Sequence, residues 1–345
     1  MSNNYTGLLG IEFVEYASPN NQMLHDIFVN FGFSKLMQTS TGDMEYYRQN
    51  DIHFIINNKV GGHSEQFKKL HGPSISAMAF RAENAEKAFT TAVERGAKKA
   101  QGEFKINGKD VPAIYGIGDS LIYFVDTYKQ SDFYTSLGFV EHKNKEVVAD
   151  KGFIAIDHLT NNVEKGTMEN WANFYKNIFG FTEVRYFDIK GAKTGLVSYA
   201  LKSPCGTFCI PINEGTDKKS QINEYLEEYK GPGIQHLAFL TTDIVKSLEG
   251  LKGKIQTLDI DQEYYQTVFD RVPNVTEDKK KLEELNILVD GDEKGYLLQI
   301  FTKNIIGPIF IEIIQRKNHL SFGEGNFGAL FRSIEKDQEK RGYLD

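Results

Sequence analysis

Apolar positions follow two spacings along this chain. Trp171, Phe174, Tyr175 and Ile178 fall at i, i+3, i+4 and i+7, the stripe of a helix laid on a sheet. Ala85, Ala88, Phe89 and Ala92 make a second stripe, which Asn84 opens as a capping residue and Gly96 closes. Between the stripes lie short apolar or alternating runs, among them Ile52 to Ile56, Tyr296 to Phe301 and Ile309 to Ile314, and these predict strands. The polar stretch from Thr276 to Glu284 predicts an exposed loop or the start of a helix.

The units repeat. Gly10-Ile11-Glu12-Phe13 and Ala155-Ile156-Asp157-His158 each open an extended run, and the helices that follow end in Phe31-Gly32-Phe33 and Phe179-Gly180-Phe181. Further on, Gly72-Pro73-Ser74-Ile75-Ser76-Ala77-Met78-Ala79-Phe80 is echoed by Gly231-Pro232-Gly233-Ile234-Gln235-His236-Leu237-Ala238-Phe239. Four related modules in two halves, each a helix with several strands, predict an α+β fold. The charged run Glu141 to Glu146 reads as a surface linker after the last strand of the first half, which sets the halves at 1–148 and 149–345.

Composition narrows the class. With 40 Lys and Arg against 47 Asp and Glu in 345 residues, the net charge of −7 excludes a basic nucleic-acid scaffold. A hydrophobic share of 40% with 12% aromatic residues is enough for two large cores. No apolar run reaches a membrane span and the first residues lack the pattern of a signal peptide, so the expected setting is the cytoplasm, with Cys205 and Cys209 reduced.

The repeat also allows an internal comparison. Phe13 stands where the second half has His158, Ala77 where it has His236, and, by a weaker match of strands, Phe124 where it has Glu312. Three ionisable residues replace three apolar ones, which points to one functional site, in the second half. A lone histidine in a strand is more often a hydrogen-bonded core or edge residue than a ligand. Glu312 is different, because it sits in Ile309-Phe310-Ile311-Glu312-Ile313-Ile314, where a charged carboxylate needs a cation nearby or else must be protonated. The three lie 78 and 76 residues apart, about one module each, as equivalent strands converging on one centre require. Two imidazoles and a carboxylate leave about three positions of an octahedral metal open, which suits non-haem Fe(II) better than structural zinc.

Over nearly its whole length, and most strongly from Ile156 onward, the chain resembles the 4-hydroxyphenylpyruvate dioxygenase family of the vicinal-oxygen-chelate superfamily. The resemblance is carried by Ile156-Asp157-His158-Leu159-Thr160-Asn161-Asn162-Val163, Gly233-Ile234-Gln235-His236-Leu237-Ala238, Leu297 to Lys303, Ile309 to Arg316 and Gly325-Asn326-Phe327. It implies two halves of paired βαβββ modules, with one Fe(II) per chain held by His158, His236 and Glu312. It further implies conversion of 4-hydroxyphenylpyruvate and O₂ to homogentisate and CO₂, by a homo-oligomer (dimer or tetramer) with no nucleic-acid or membrane partner. Gln299, Ser198, Asn213, Gln221 and Gln235 correspond to the polar residues that serve the reaction, and Phe301, Phe310, Asn326, Phe327, Phe331 and Pro211 to those around the substrate. Strand alternation turns Gln235 away from His236, which makes its role a supporting one. Asn326 is expected to cap a C-terminal lid helix, with Phe327, Leu330, Phe331 and Ile334 on one face. The first half carries little of the family beyond its spacing. Among rivals, 4-hydroxymandelate synthase acts on the same substrate, and Pro211 and Asn213 favour the homogentisate outcome. Two more distant rivals are a non-catalytic small-ligand-binding protein of this fold, which has no need of a buried carboxylate, and an extradiol dioxygenase.

Overall fold

In a computed structural model that describes residues 3–344, the strands of the first half are β1 (Leu8–Ala17), β2 (Ser34–Thr39), β3 (Met44–Gln49), β4 (Ile52–Asn57), β5 (Ser74–Ala82), β6 (Lys99–Ala100), β7 (Lys105–Ile106), β8 (Lys109–Asp110), β9 (Ala113–Tyr115), β10 (Leu121–Val125) and β11 (Phe139–Glu146). All but β7 and β8, which form a separate ribbon, join one sheet in the order β11-β2-β3-β4-β1-β5-β10-β9-β6. The second half contributes β12 (Phe153–Val163), β13 (Thr182–Lys190), β14 (Gly195–Lys202), β15 (Cys209–Gly215), β16 (Gly233–Thr241), β17 (Leu288–Asp292), β18 (Gly295–Phe301) and β19 (Phe310–Lys317), ordered β13-β14-β15-β12-β16-β19-β18-β17. Strand for strand the second order repeats the first, with β11 added at one edge.

The helices form where the stripes predict. Met168–Phe179 buries Ala172, Tyr175 and Ile178 and ends at Gly180 with φ 89°, a conformation that costs glycine little. Asn84 caps Ala85–Glu94 by accepting from the Lys87 amide, at 2.8 Å. The polar stretch after Thr276 becomes the short helix Lys279–Glu284.

Two expectations need correction. Residues Glu141 to Glu146 are not a linker: they continue β11, paired with β2 through Glu141↔Met37 and Glu146↔Lys35. An edge strand with one face in water tolerates charges, so the run looked like a connection. The partner of Glu312 across the repeat is also off by one. Ala79 pairs with Tyr123 as Ala238 pairs with Glu312, so Tyr123 and not Phe124 is its counterpart. Because side chains alternate, that single step decides which face a residue takes.

The corrected register shows what stands in the first half where the second has its ionisable residues. Phe13, Phe104 and Tyr123 pack edge to face there, with ring centroids 5.3 and 5.1 Å apart for the pairs that Phe104 makes. They fill the position of the ionisable group. Just beside them Glu15 is fully buried, accepting from Ser76 Oγ at 2.7 Å. Burial, and then the charge of Glu103, push its carboxyl up to about 8.

Candidate metal centre

Three neighbouring strands meet at the centre of the second sheet. The register sets His158 of β12 opposite Ala238 of β16, and Ala238 opposite Glu312 of β19, with His236 two residues back on the middle strand. All three side chains are buried, and one ligand atom from each lies within 4.8 Å of the others. Glu312 Oε2 is 3.0 Å from His158 Nε2 and 3.5 Å from His236 Nε2. Among the described residues no other group of three His, Cys, Asp or Glu converges in this way.

Two irregularities in the ladder prepare the histidines. On β12 the pairing steps from Ile156↔Phe239 to His158↔Ala238, passing over Asp157; on β16 it steps from Thr160↔His236 to Asn161↔Ile234, passing over Gln235. A bulge of this kind breaks strict alternation. Asp157 Oδ2 can therefore sit 2.8 Å from Nδ1 of His158, and Gln235 Oε1 lies 3.2 Å from Nδ1 of His236. Each Nδ1 donates to its neighbour in sequence, which leaves each Nε2 facing Glu312, to carry a proton to the carboxylate or to offer its lone pair to a metal ion. The expectation that Gln235 turns away from His236 is thereby corrected. The first half keeps the same bulges, passing over Glu12 and Ser76.

Charge is concentrated here. Burial drives the Glu312 carboxyl upward, but the two imidazoles more than reverse this and hold it down at about 2. Burial likewise depresses His158, yet Glu312 and Asp157 raise it to about 9, whereas burial leaves His236 lowered. The carboxylate thus demands a cation, either a proton on His158 or a metal ion. Two nitrogens and one oxygen, converging and buried, fit the donor set of a 2-His-1-carboxylate centre.

A cleft with about 630 Å³ of empty space, counted out to its open mouth, leads from this centre. Its wall contains most of the residues singled out from the sequence: Ser198, Pro211, Asn213, Gln221, Gln235, Gln299, Phe301, Phe310, Phe327 and Phe331. Ser198 and Asn213 are direct partners on β14 and β15, and Phe301 lies opposite Glu312 on β18. Phe310 stacks on His236, with centroids 4.6 Å apart. Gln235 Nε2 donates to Gln221 Oε1 at 3.3 Å.

Asn326 is the exception. It is fully buried but outside the cavity wall, and it makes no capping bond to the C-terminal helix Phe327–Lys340. Its Oδ1 accepts from Tyr264 Oη at 2.6 Å, and its Nδ2 donates to Gln299 Oε1 at 3.4 Å. Asn326 therefore holds Gln299 from behind, which leaves the Gln299 amino group free to donate into the cavity. Sequence reasoning missed Thr160, Phe187, Ile189, Leu196 and Phe322 on the wall. Phe187 and Ile189 alternate with charged residues along β13, and Thr160 is two residues from His158, so period-two spacing marks all three. Phe322 lies in a loop and carries no such signal.

The C-terminal helix closes the cavity with Phe327, Leu330, Phe331 and Ile334, its predicted stripe. The next residue, the buried Glu335, accepts from the backbone amides of Ala192, Lys193 and Thr194 at 3.1, 3.0 and 2.9 Å, and from Thr194 Oγ1 at 3.0 Å. The β13–β14 turn is thus latched to the helix.

Comparison with known proteins agrees with this geometry. Residues 2–142 match the family described as hydroxyphenylpyruvate dioxygenase, N-terminal, so the first half carries more of the family than its spacing suggested. Residues 155–258 match the glyoxalase/bleomycin resistance protein/dioxygenase superfamily. Protein MelA of Shewanella colwelliana is 61% identical over 344 residues, 99% of either chain. A 4-hydroxyphenylpyruvate dioxygenase of Legionella pneumophila (strain Corby) is 44% identical, over 99% of this chain and 98% of its own. A solved mutant of 4-hydroxymandelate synthase from Streptomyces coelicolor shares the fold with a TM-score of 0.83 at 25% identity, covering 96% of this chain and 99% of its own. Full-length similarity at these levels, together with the buried triad, makes the chain a member of the hydroxyphenylpyruvate dioxygenase family.

Proposed function

We propose that the protein is an Fe(II)-dependent dioxygenase that converts 4-hydroxyphenylpyruvate and O₂ to homogentisate and CO₂ in the cytoplasm. The observation that carries this reading is the buried His158, His236 and Glu312 set at the floor of a cavity walled by aromatic rings and amides. The Nε2 atoms of His158 and His236 and the carboxylate of Glu312 would hold the iron, which when bound would supply chelation of the α-keto acid and activation of O₂. The chain supplies the rest. Gln299, fixed by Asn326, offers its amino group to a substrate oxygen, and Gln221 and Gln235 line the same wall. Ser198 and Asn213, paired across β14 and β15, hydrogen-bond the polar end or ring hydroxyl. Phe301 and Phe327 flank the aromatic ring, and the C-terminal helix excludes water while the ring is hydroxylated and its side chain migrates.

The relative named 4-hydroxymandelate synthase gives the second reading, in which the same substrate is hydroxylated at the benzylic carbon. Iron assay of the purified protein, combined with product identification from 4-hydroxyphenylpyruvate, separates the two. The expected result is about one iron per chain and homogentisate, with iron and activity both lost in His236→Ala. Formation of 4-hydroxymandelate overturns the assigned product, and unchanged iron content in His236→Ala overturns the assigned ligands.

A further inference from the structure

Arg316 lies on β19, four residues beyond Glu312, and its guanidinium makes four hydrogen bonds. Nε and Nη2 donate to the two carboxylate oxygens of Asp157 at 2.7 and 2.8 Å. Nη1 donates to the backbone carbonyls of His319 and Ser321 at 3.1 and 2.7 Å. Both side chains are largely buried, at 14% and 13% exposure, so the pair is shielded from the screening that weakens surface ion pairs. Asp157 in turn holds Nδ1 of His158 at 2.8 Å. A single planar fork therefore touches the support of one imidazole and the loop that enters the C-terminal helix.

That loop is well placed to report on the centre. Phe322 sets its ring edge-on to His158, with centroids 5.7 Å apart, and also meets Phe187, which packs on Phe327 at 5.2 Å. Gly323 follows with φ 79°, and a Cβ there would fall 1.8 Å from Gln299 Oε1. The chain cannot shift at this point without disturbing both the amide donor and the first phenylalanine of the helix. The two histidines are also unequal: His158 leans on a carboxylate, His236 on a neutral amide. A carboxylate partner makes the imidazole the stronger donor.

We propose that Asp157 and Arg316 are positioning residues that couple His158 to the loop carrying the C-terminal helix, so that metal binding and ordering of that helix reinforce each other. This rests on the reading of His158 as a ligand. Lysine cannot replace Arg316 in the role, because a point charge cannot span the carboxylate and two carbonyls at once.

The test uses metal-free full-length protein titrated with Co(II), with its visible spectrum and hydrogen exchange as readouts. In the wild type, Co(II) should slow exchange across residues 319–340. Asp157→Asn should weaken Co(II) binding about 10- to 100-fold and shift the visible bands. Arg316→Lys should weaken it about 10-fold and erase the metal-dependent protection of 319–340, while exchange in β1 to β5 stays as in wild type and so reports an intact fold. Co(II) affinity within twofold of wild type in both variants overturns the proposal, as does full metal-dependent protection in Arg316→Lys. His158→Ala is the control: if it keeps wild-type Co(II) affinity, the ligand assignment itself has failed and not merely the coupling.

Discussion

Asn213 and Ser198 are where the proposed reaction can be tested at the scale of one residue. They face each other across β14 and β15, and Asn213 Nδ2 donates to Asn162 Oδ1 at 3.3 Å, so the amide is anchored on one side and open to the cavity on the other. Misplacing a reacting ring by ~1 Å costs about 10²-fold in a positioned reaction. Asn213→Ala is therefore expected to lower homogentisate formed per O₂ consumed several-fold, with metal content unchanged; coupling equal to wild type speaks against direct contact. At this scale the family resemblance was informative, since Gln299, Phe301, Ser198 and Asn213, which it picked out, all lie on the cavity wall. The local sequence pattern misled at Gln235, where a bulge breaks alternation, and at Asn326, whose position before a helix is that of a cap but whose side chain is drawn instead to Tyr264 and Gln299. Neither effect has a local signature, since both depend on a partner distant in the chain.

The C-terminal helix is the element with the most to decide. Its apolar stripe was legible, but the reason it stays docked was not, because Glu335 lies in a run of charges that reads as solvated. In the fold that carboxylate is buried and accepts four hydrogen bonds from the β13–β14 turn. Hydrogen bonds to a charged group contribute about 1.5–3 kcal/mol each, so loss of even one shifts the docked-to-open ratio roughly 10-fold or more. Glu335→Ala should raise KM roughly 10-fold and uncouple O₂ uptake from product, and through the coupling of the helix to His158 it should also weaken metal binding. Steady-state kinetics with a parallel oxygen electrode read this directly. Deleting 326–345 should give the same phenotype in stronger form, compounded by loss of the support that Asn326 gives Gln299. Normal coupling in the truncated protein would reduce the helix to a cover.

At the scale of the whole molecule, the proposed function assigns the reaction to the second half and packing to the first. The repeat was legible in the sequence because its glycines and helix stripes recur, whereas the exact partner of Glu312 depended on a register that only pairing reveals. The first half, lacking any ligand at these positions, should add no second metal, and its buried Glu15 gives the molecule a pH dependence of its own. The folded carboxyl titrates near 8, above its unfolded value of 4.5. The folded state thus keeps a proton that the unfolded chain releases, so this contribution is complete below about pH 4.5, declines as pH rises, and is gone above about 8. Glu15→Gln should flatten that decline and stabilise the protein at pH 8.5 by up to about 5 kcal/mol relative to wild type. Urea denaturation at pH 6 and 8.5 checks it, and parallel pH slopes for the two proteins would refute it.

The bulges have a genetic consequence. Asp157 is the residue passed over between the pairs Ile156↔Phe239 and His158↔Ala238, so an in-frame deletion of its single codon closes the ladder into regular pairing on both sides. No other strand has to move. Such a lesion should yield folded protein with a lowered melting temperature, because Arg316 loses its carboxylate partner, and with a collapsed metal affinity, whereas deleting a codon elsewhere in β12, Ile154 excepted because the pairing passes over it too, reverses the facing of the residues beyond it and should abolish folding. A codon-by-codon deletion scan of 153–163, scored separately for abundance and for activity, is expected to part these two measures at position 157.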